Sequence, residues 1–190
     1  MKNGVMVKER KKPKDQKKNP EKRRNRQMIE GVMIRDLVMH ADEHGYLYEV
    51  LREDWPEYKR FGQVYVTVTY PGIIKGWHYH DLQTDHFCVI RGMAKIVLYD
   101  GRANSPTQHE LMEVVMGEFK QSLLIIPHHV LHGVIALNNE PAWILNIPDV
   151  KYDYGNPDEQ RMPYDKMLKR KDGSVKPYTW FRTTETEGLK

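Results

Sequence analysis

Little in this chain is available for covalent or membrane-based stabilisation. Its 190 residues include one cysteine, Cys88. That excludes an internal disulfide framework and a thiolate zinc cage, so packing must hold the fold and any metal must be held by histidine and carboxylate. Cys88 lies in the apolar run His86-Phe87-Cys88-Val89-Ile90 and reads as core filler rather than a nucleophile. No apolar run approaches the ~18 residues of a membrane span, and no apolar segment follows the charged N-terminus as a signal peptide would require. A cytoplasmic protein without membrane contact is expected. Internal repeats are missing, and helical periodicity is scarce. Only Met28 to His40 and Pro163 to Arg170 suit short flanking helices.

Charge is abundant but unevenly placed. Residues 1–27 hold twelve Lys or Arg and three acids, a net of +9, which leaves −5 for the rest of a chain whose overall balance is +4. A polar, aromatic-free leader of this kind buries too little surface to offset its ordering entropy, so a disordered basic tail is expected there. Its lysines and arginines offer weak, non-specific nucleic-acid contact at most, because no aromatics interleave them as a stacking platform. One core is expected, in a domain over residues 28–165, with a C-terminal tail over 166–190 packing on that domain or on a partner subunit.

The body reads as strands. From Gly62 to Tyr70, Val64, Val66 and Val68 alternate with Tyr65, Thr67 and Thr69, the period-2 pattern of a half-buried strand. Short runs of similar character follow at His86–Arg91, Ala94–Tyr99, Glu110–Val115, Gln121–Ile126, Val130–Ala136 and Ala142–Ile147. Pro71-Gly72, Arg91-Gly92, Asp100-Gly101, Met116-Gly117 and Asn138-Asn139 punctuate them with turn residues. Many short strands at such spacing imply an all-β sandwich or barrel.

Two histidine motifs sharpen this. Gly72, five residues, His78-x-His80, four residues, Asp85, six residues and Gly92 form a pattern that resembles the first cupin motif, with aspartate where that family has glutamate. On a strand, histidines two apart point to one face. Pro127-x-His129-x-x-His132 is similar to the second cupin motif, with His129 in place of its glycine. The resemblance implies a jelly-roll β-barrel whose mouth holds His78, His80, Asp85 and His132. That donor set also suits a divalent transition metal.

Five ordered segments carry a closer resemblance, over roughly residues 29 to 165, to the dTDP-4-dehydrorhamnose 3,5-epimerase family of metal-free cupins. They are Asp42-x-His44-Gly45-x-x-x-Glu49; Gln63, fifteen residues before His78; Asp100-x-Arg102-x-x-Ser105-Pro106-Thr107; Ile126-Pro127 through His132-Gly133; and Arg161-Met-Pro-Tyr-Asp165. The resemblance implies His78 as the base and Asp165 as its orienting carboxylate. It implies His44, Glu49, Gln63, Tyr65, Lys75, His80 and His132 as substrate contacts, and a homodimer in which residues such as Glu49 serve the neighbouring subunit's site. Departures are visible too. Lys75 stands for an arginine, Asp85 for a lysine, and Leu145 for the tyrosine that protonates the opposite face, with Tyr65 as the substitute acid.

The expected function is therefore isomerisation of a nucleotide-diphosphate 4-keto-6-deoxy sugar, by epimerisation at C3, C5 or both and without a cofactor. Abstraction beside a ketone needs a base poised near neutral pH and a donor for the oxyanion. Two other readings stand beside it: a metal-dependent cupin isomerase or oxygenase using His78, His80, Asp85 and His132, and a non-catalytic cupin that binds sugar nucleotides.

Overall fold

The computed structural model describes residues 28–181, and the expected basic leader lies outside them. Fourteen strands follow in order: β1 Met33–Asp36, β2 Met39–Asp42, β3 Gly45–Tyr48, β4 Tyr65–Thr69, β5 Ile74–Tyr79, β6 Asp85–Arg91, β7 Met93–Asp100, β8 Leu111–Gly117, β9 Ser122–Ile126, β10 Val130–Ala136, β11 Ala142–Asn146, β12 Gln160–Arg161, β13 Leu168–Lys169 and β14 Val175–Lys176. Two five-stranded antiparallel sheets form the body. Sheet I runs β1-β9-β6-β11-β4 and sheet II runs β12-β5-β10-β7-β8, while β2–β3 and β13–β14 are separate two-stranded ribbons. This is the expected all-β cupin jelly roll.

Alternation along the strands builds the core. Phe87 and Val89, Ile96 and Leu98, Met112, Val114 and Met116, Leu124 and Ile126, Val130 and Val134, and Ile144 all point between the sheets and are buried. The outer faces are covered as well. On sheet II, Val97, Tyr99, Leu131 and Ile135 lie under Leu168 and Trp180 of the C-terminal segment. On sheet I, Cys88, Leu123 and Ile125 lie under Leu37, Val50, Leu51 and Trp55. Strands buried on both faces need apolar residues at consecutive positions, which explains unbroken runs such as Leu123-Leu124-Ile125-Ile126. Close approach matters where Trp180 crosses sheet II. A Cβ on Gly133 would sit 2.5 Å from the Trp180 ring and 2.9 Å from the Gly76 Cα.

Neither expected flanking helix forms among the described residues. Gly31 takes φ +80°, outside the helical range, and Met33–Asp36 pairs with β9 as an edge strand of sheet I. In the other stretch, Leu168 and Lys169 pair with Lys176 and Val175 across a turn at Asp172-Gly173, whose glycine has φ +81°. In both places, sheet pairing overrides a weak local helical pattern.

Candidate active site

The open end of the barrel encloses a cavity of about 750 Å³ lined by both sheets. Sheet II supplies His78 from β5, with His80 just beyond that strand, and His132 from β10. A register shift between His132 and Gly133 against β5 pairs His132 with His78 and Gly133 with Gly76. This bulge turns Trp77 outward and His78 inward, and the His78 and His132 rings stand 4.0 Å apart. Sheet I supplies Asp85 at the start of β6, Asn146 at the end of β11 and Tyr65 at the start of β4.

Asp85 is the electrostatic centre. It is 1% exposed, and its Oδ2 lies 3.1 Å from His132 Nε2 and 3.4 Å from His80 Nε2. Its Oδ1 accepts hydrogen bonds from Gln83 Nε2 and Asn146 Nδ2 at 2.7 and 2.8 Å. Burial alone would raise its pKa, but the close approach of His132 and His80 wins and holds the carboxyl well below the usual range. Burial would lower His80, but Asp85 overrides it and the imidazole is raised to about 9. His78 shifts the other way. Burial first, and then the neighbouring His132, push it well below its usual value.

Across the cavity, the Tyr65 hydroxyl accepts a 2.8 Å hydrogen bond from Asn146 Nδ2. Burial and then the Asp85 charge push that phenol up to about 12, so it carries its proton at neutral pH. Lys75, on β5 of sheet II, also lines the cavity and donates to Thr67 Oγ1 of β4 at 2.8 Å, with its ammonium pushed below the usual range by burial and then by Arg161. Gln63 faces the cavity and accepts the Tyr152 backbone N–H at 3.2 Å.

Three expected site residues are not brought here. Asp165 is exposed and does not line the cavity, and no described contact joins it to His78. The Pro163–Lys166 turn carries it along the outer edge, so the carboxylate beside the histidines is Asp85. His44 sits in the exposed β2–β3 turn, and Glu49 is paired with Arg52. Leu145 does not occupy the site either. The β11 register turns it outward against Cys88, Leu123 and Ile125, while Ile144 faces the cavity and Asn146 bonds Asp85. Asn146, Gln83, Asp158, Lys151 and Arg161 were missed. Alternation from Ala142 through Ile144 was the available signal for Asn146, since it puts that residue on the inner face.

The donor atoms of His78, His80, Asp85 and His132 all lie within 4.8 Å of one another. His80 Nδ1 bonds the Asp158 carbonyl and His132 Nδ1 bonds the Val130 carbonyl at 2.9 Å, so both Nε2 atoms turn inward. Backbone carbonyls orient metal-bound imidazoles in this way, and the three-nitrogen, one-oxygen set fits a divalent transition metal.

The sequence and the fold are matched by known proteins. Residues 40–160 match the family described as polysaccharide biosynthesis C-terminal domain. The chain belongs to this family. Over 139 residues it is 44% identical to the probable low-salt glycan biosynthesis epimerase Agl13 of Haloferax volcanii, covering 72% of this chain and 89% of that protein. It is 39% identical over 138 residues to the spore coat polysaccharide biosynthesis protein SpsL of Bacillus subtilis, covering 73% and 91%. A crystal structure of a dTDP sugar isomerase from Desulfovibrio desulfuricans G20 superposes with a TM-score of 0.67 at 34% identity, covering 71% of this chain and 85% of that one. The chain is an epimerase-type cupin enzyme of the group that its motifs resemble.

Proposed function

We propose that this cupin epimerises a nucleotide-diphosphate 4-keto-6-deoxy sugar at C3, C5 or both, with His78 as base and Tyr65 as opposite-face acid. One observation carries the reading: His78 stands on sheet II and Tyr65 on sheet I, and both line a single cavity. Epimerisation requires removal of a proton from one face of a carbon and its return to the other, so the two groups must flank the ring. His78 is neutral at pH 7 and presents a lone pair. The imidazolium formed on abstraction is stabilised by Asp85, whose charge favours the protonated ring. Lys75 and Arg161 supply cations for the enolate oxygen or the diphosphate. Tyr65 then delivers its proton, and Asn146 holds the phenol oxygen in place.

Incubation in heavy water with a nucleotide-linked 4-keto-6-deoxy hexose should wash deuterium into C3 or C5. No uptake from any of several such sugars, by protein shown to bind them, would leave a binding module. The exposed β2–β3 ribbon, with Tyr46 and Leu47 65% and 61% exposed, supports a homodimer in which His44 and Glu49 reach the partner's cavity. A cytoplasmic setting fits a nucleotide-sugar substrate, and among the described residues no helix is long and apolar enough to cross a membrane.

The four converging donors favour a second reading. A divalent metal held by His78, His80, Asp85 and His132 would supply Lewis-acid polarisation of the ketone. Elemental analysis decides between them. About one transition metal per chain, with activity lost to a chelator, would replace the metal-free mechanism.

A further inference from the structure

Residues 147–159, between β11 and β12, form an irregular strap across the cavity mouth, and Lys151, Tyr152, Tyr154, Asp158 and Glu159 line the cavity from it. The strap is pinned at its start, where Asp149 Oδ1 accepts the Thr84 N–H at 2.7 Å. Near its far end, the Asp158 carboxylate accepts three successive backbone N–H groups, from Asp81 at 2.9 Å, Leu82 at 3.0 Å and Gln83 at 2.9 Å. The main-chain carbonyl of the same residue accepts the Nδ1–H of His80.

We propose that Asp158 is a positioning residue of this site, fixing the His80 ring against Asp85 and holding the strap closed over bound substrate. The inference rests on the epimerase reading of the cavity. His80 lies beyond the end of β5, where its carbonyl accepts the His129 N–H at 2.7 Å, a bond that fixes the main chain and not the ring. One edge of that ring is bound by the Asp158 carbonyl, and the other faces Asp85. Gln83, whose backbone N–H is in the clamp, extends its side chain to Asp85 Oδ1 at 2.7 Å and to His80 Nε2 at 3.2 Å. Two of the four side chains around Asp85 therefore depend on Asp158. A carboxylate taking three N–H groups is a charge-assisted clamp stronger than its neutral counterpart. It joins the strap that carries Tyr152 and Tyr154 to the turn that carries the histidine, so substrate held under the strap meets an ordered site.

The test compares Asp158→Ala and Asp158→Asn with the native protein. In the free native protein, the His80 Nδ1–H should give a proton resonance protected from solvent exchange. Asp158→Ala keeps the main-chain carbonyl but releases the clamp that places it, so it should speed that exchange, lower kcat about 10- to 100-fold, the usual cost of a displaced active-site group, and raise KM several-fold. Asp158→Asn keeps one carbonyl oxygen and should fall between the two. Loss of thermal stability in Asp158→Ala with the resonance and kcat unmoved is the signature of a merely structural residue and would overturn the proposal. If the alanine variant does not fold, Asp158→Asn decides: native proton exchange and native kcat would also overturn it. The resonance is read without substrate, so a native protein that shows it but epimerises no nucleotide sugar fails the function and not the clamp.

Discussion

His78 and Asp85 divide between them what one histidine–aspartate pair does elsewhere. His78 holds the free lone pair, and Asp85 supplies the negative charge that favours its protonated form, against the opposing effect of His132 and His80. Changing His78 to Asn should slow deuterium exchange at least ~10²-fold with binding retained. Asp85→Asn should fall as far, since it removes the negative charge that favours protonated His78. Asp165→Asn should stay within about two-fold of the native rate, because that carboxylate is solvent-exposed, while slowing on the ~10²-fold scale of general-base catalysis would place Asp165 beside the base. Tyr65→Phe should permit exchange but impair net inversion, which mass spectrometry and product stereochemistry read separately. The pH profile follows from His78. Its pKa is depressed below the ordinary 6.5, so exchange should be flat through neutrality and decline only as acid protonates the base.

At the scale of elements, the Ser-Pro-Thr loop after β7 is a lock rather than a ligand site. Asp100 is fully buried and accepts Arg102 Nε and Nη2, Ser105 Oγ and Thr107 Oγ1 at 2.6 to 2.9 Å. Arg102 also reaches the Glu30 carbonyl at 2.8 Å, and Thr107 Oγ1 accepts the Glu30 N–H at 2.9 Å, tying the chain before β1 to the loop after β7. Asp100→Ala should cost stability near the low end of ~3–5 kcal/mol, because Arg102 is partly exposed and can find water. Chemical denaturation measures it. Gly133→Ala should cost about 1–3 kcal/mol by pushing Trp180 off sheet II. The strands were legible because short apolar runs broken by Gly, Pro and Asn turns leave room for little else, and β6 to β11 lie where those runs stand. The β1 and β13 stretches were not, since both are short edges whose pairing partners are distant or follow a tight turn. At β11, quoting Leu145 against a family tyrosine fixed the sequence position but not the face; one step of register moved Asn146 into the site.

For the whole molecule, titration of the site sets a stability window. Asp85 is held below its ordinary 3.8, and Asp100 is also depressed, against a burial cost, by hydrogen bonds from Arg102, Ser105 and Thr107. Their stabilisation is complete above the unfolded carboxylate value and is lost as acid protonates them. His80 is raised from 6.5 to about 9, so its share is present below 6.5 and is lost as pH rises through about 9. The depressed His78 works against stability below 6.5, where the unfolded chain takes up a proton that the buried ring refuses, so thermal midpoints should peak near pH 6.5 and decline on both sides. A midpoint that keeps rising to pH 9 would show that the Asp85–His80 pair does not form.

The wall of the site that carries Tyr65 and Asp85 is completed only at a late stage of chain closure. The Asn146 to Tyr65 hydrogen bond spans 81 residues of sequence, and the Asn146 to Asp85 bond spans 61. Neither can form until β11 has inserted between β4 and β6, which is among the slow, entropy-limited events of folding. A chain still emerging during synthesis thus has histidines but no cavity, and regain of sugar binding during refolding should lag the early appearance of sheet structure.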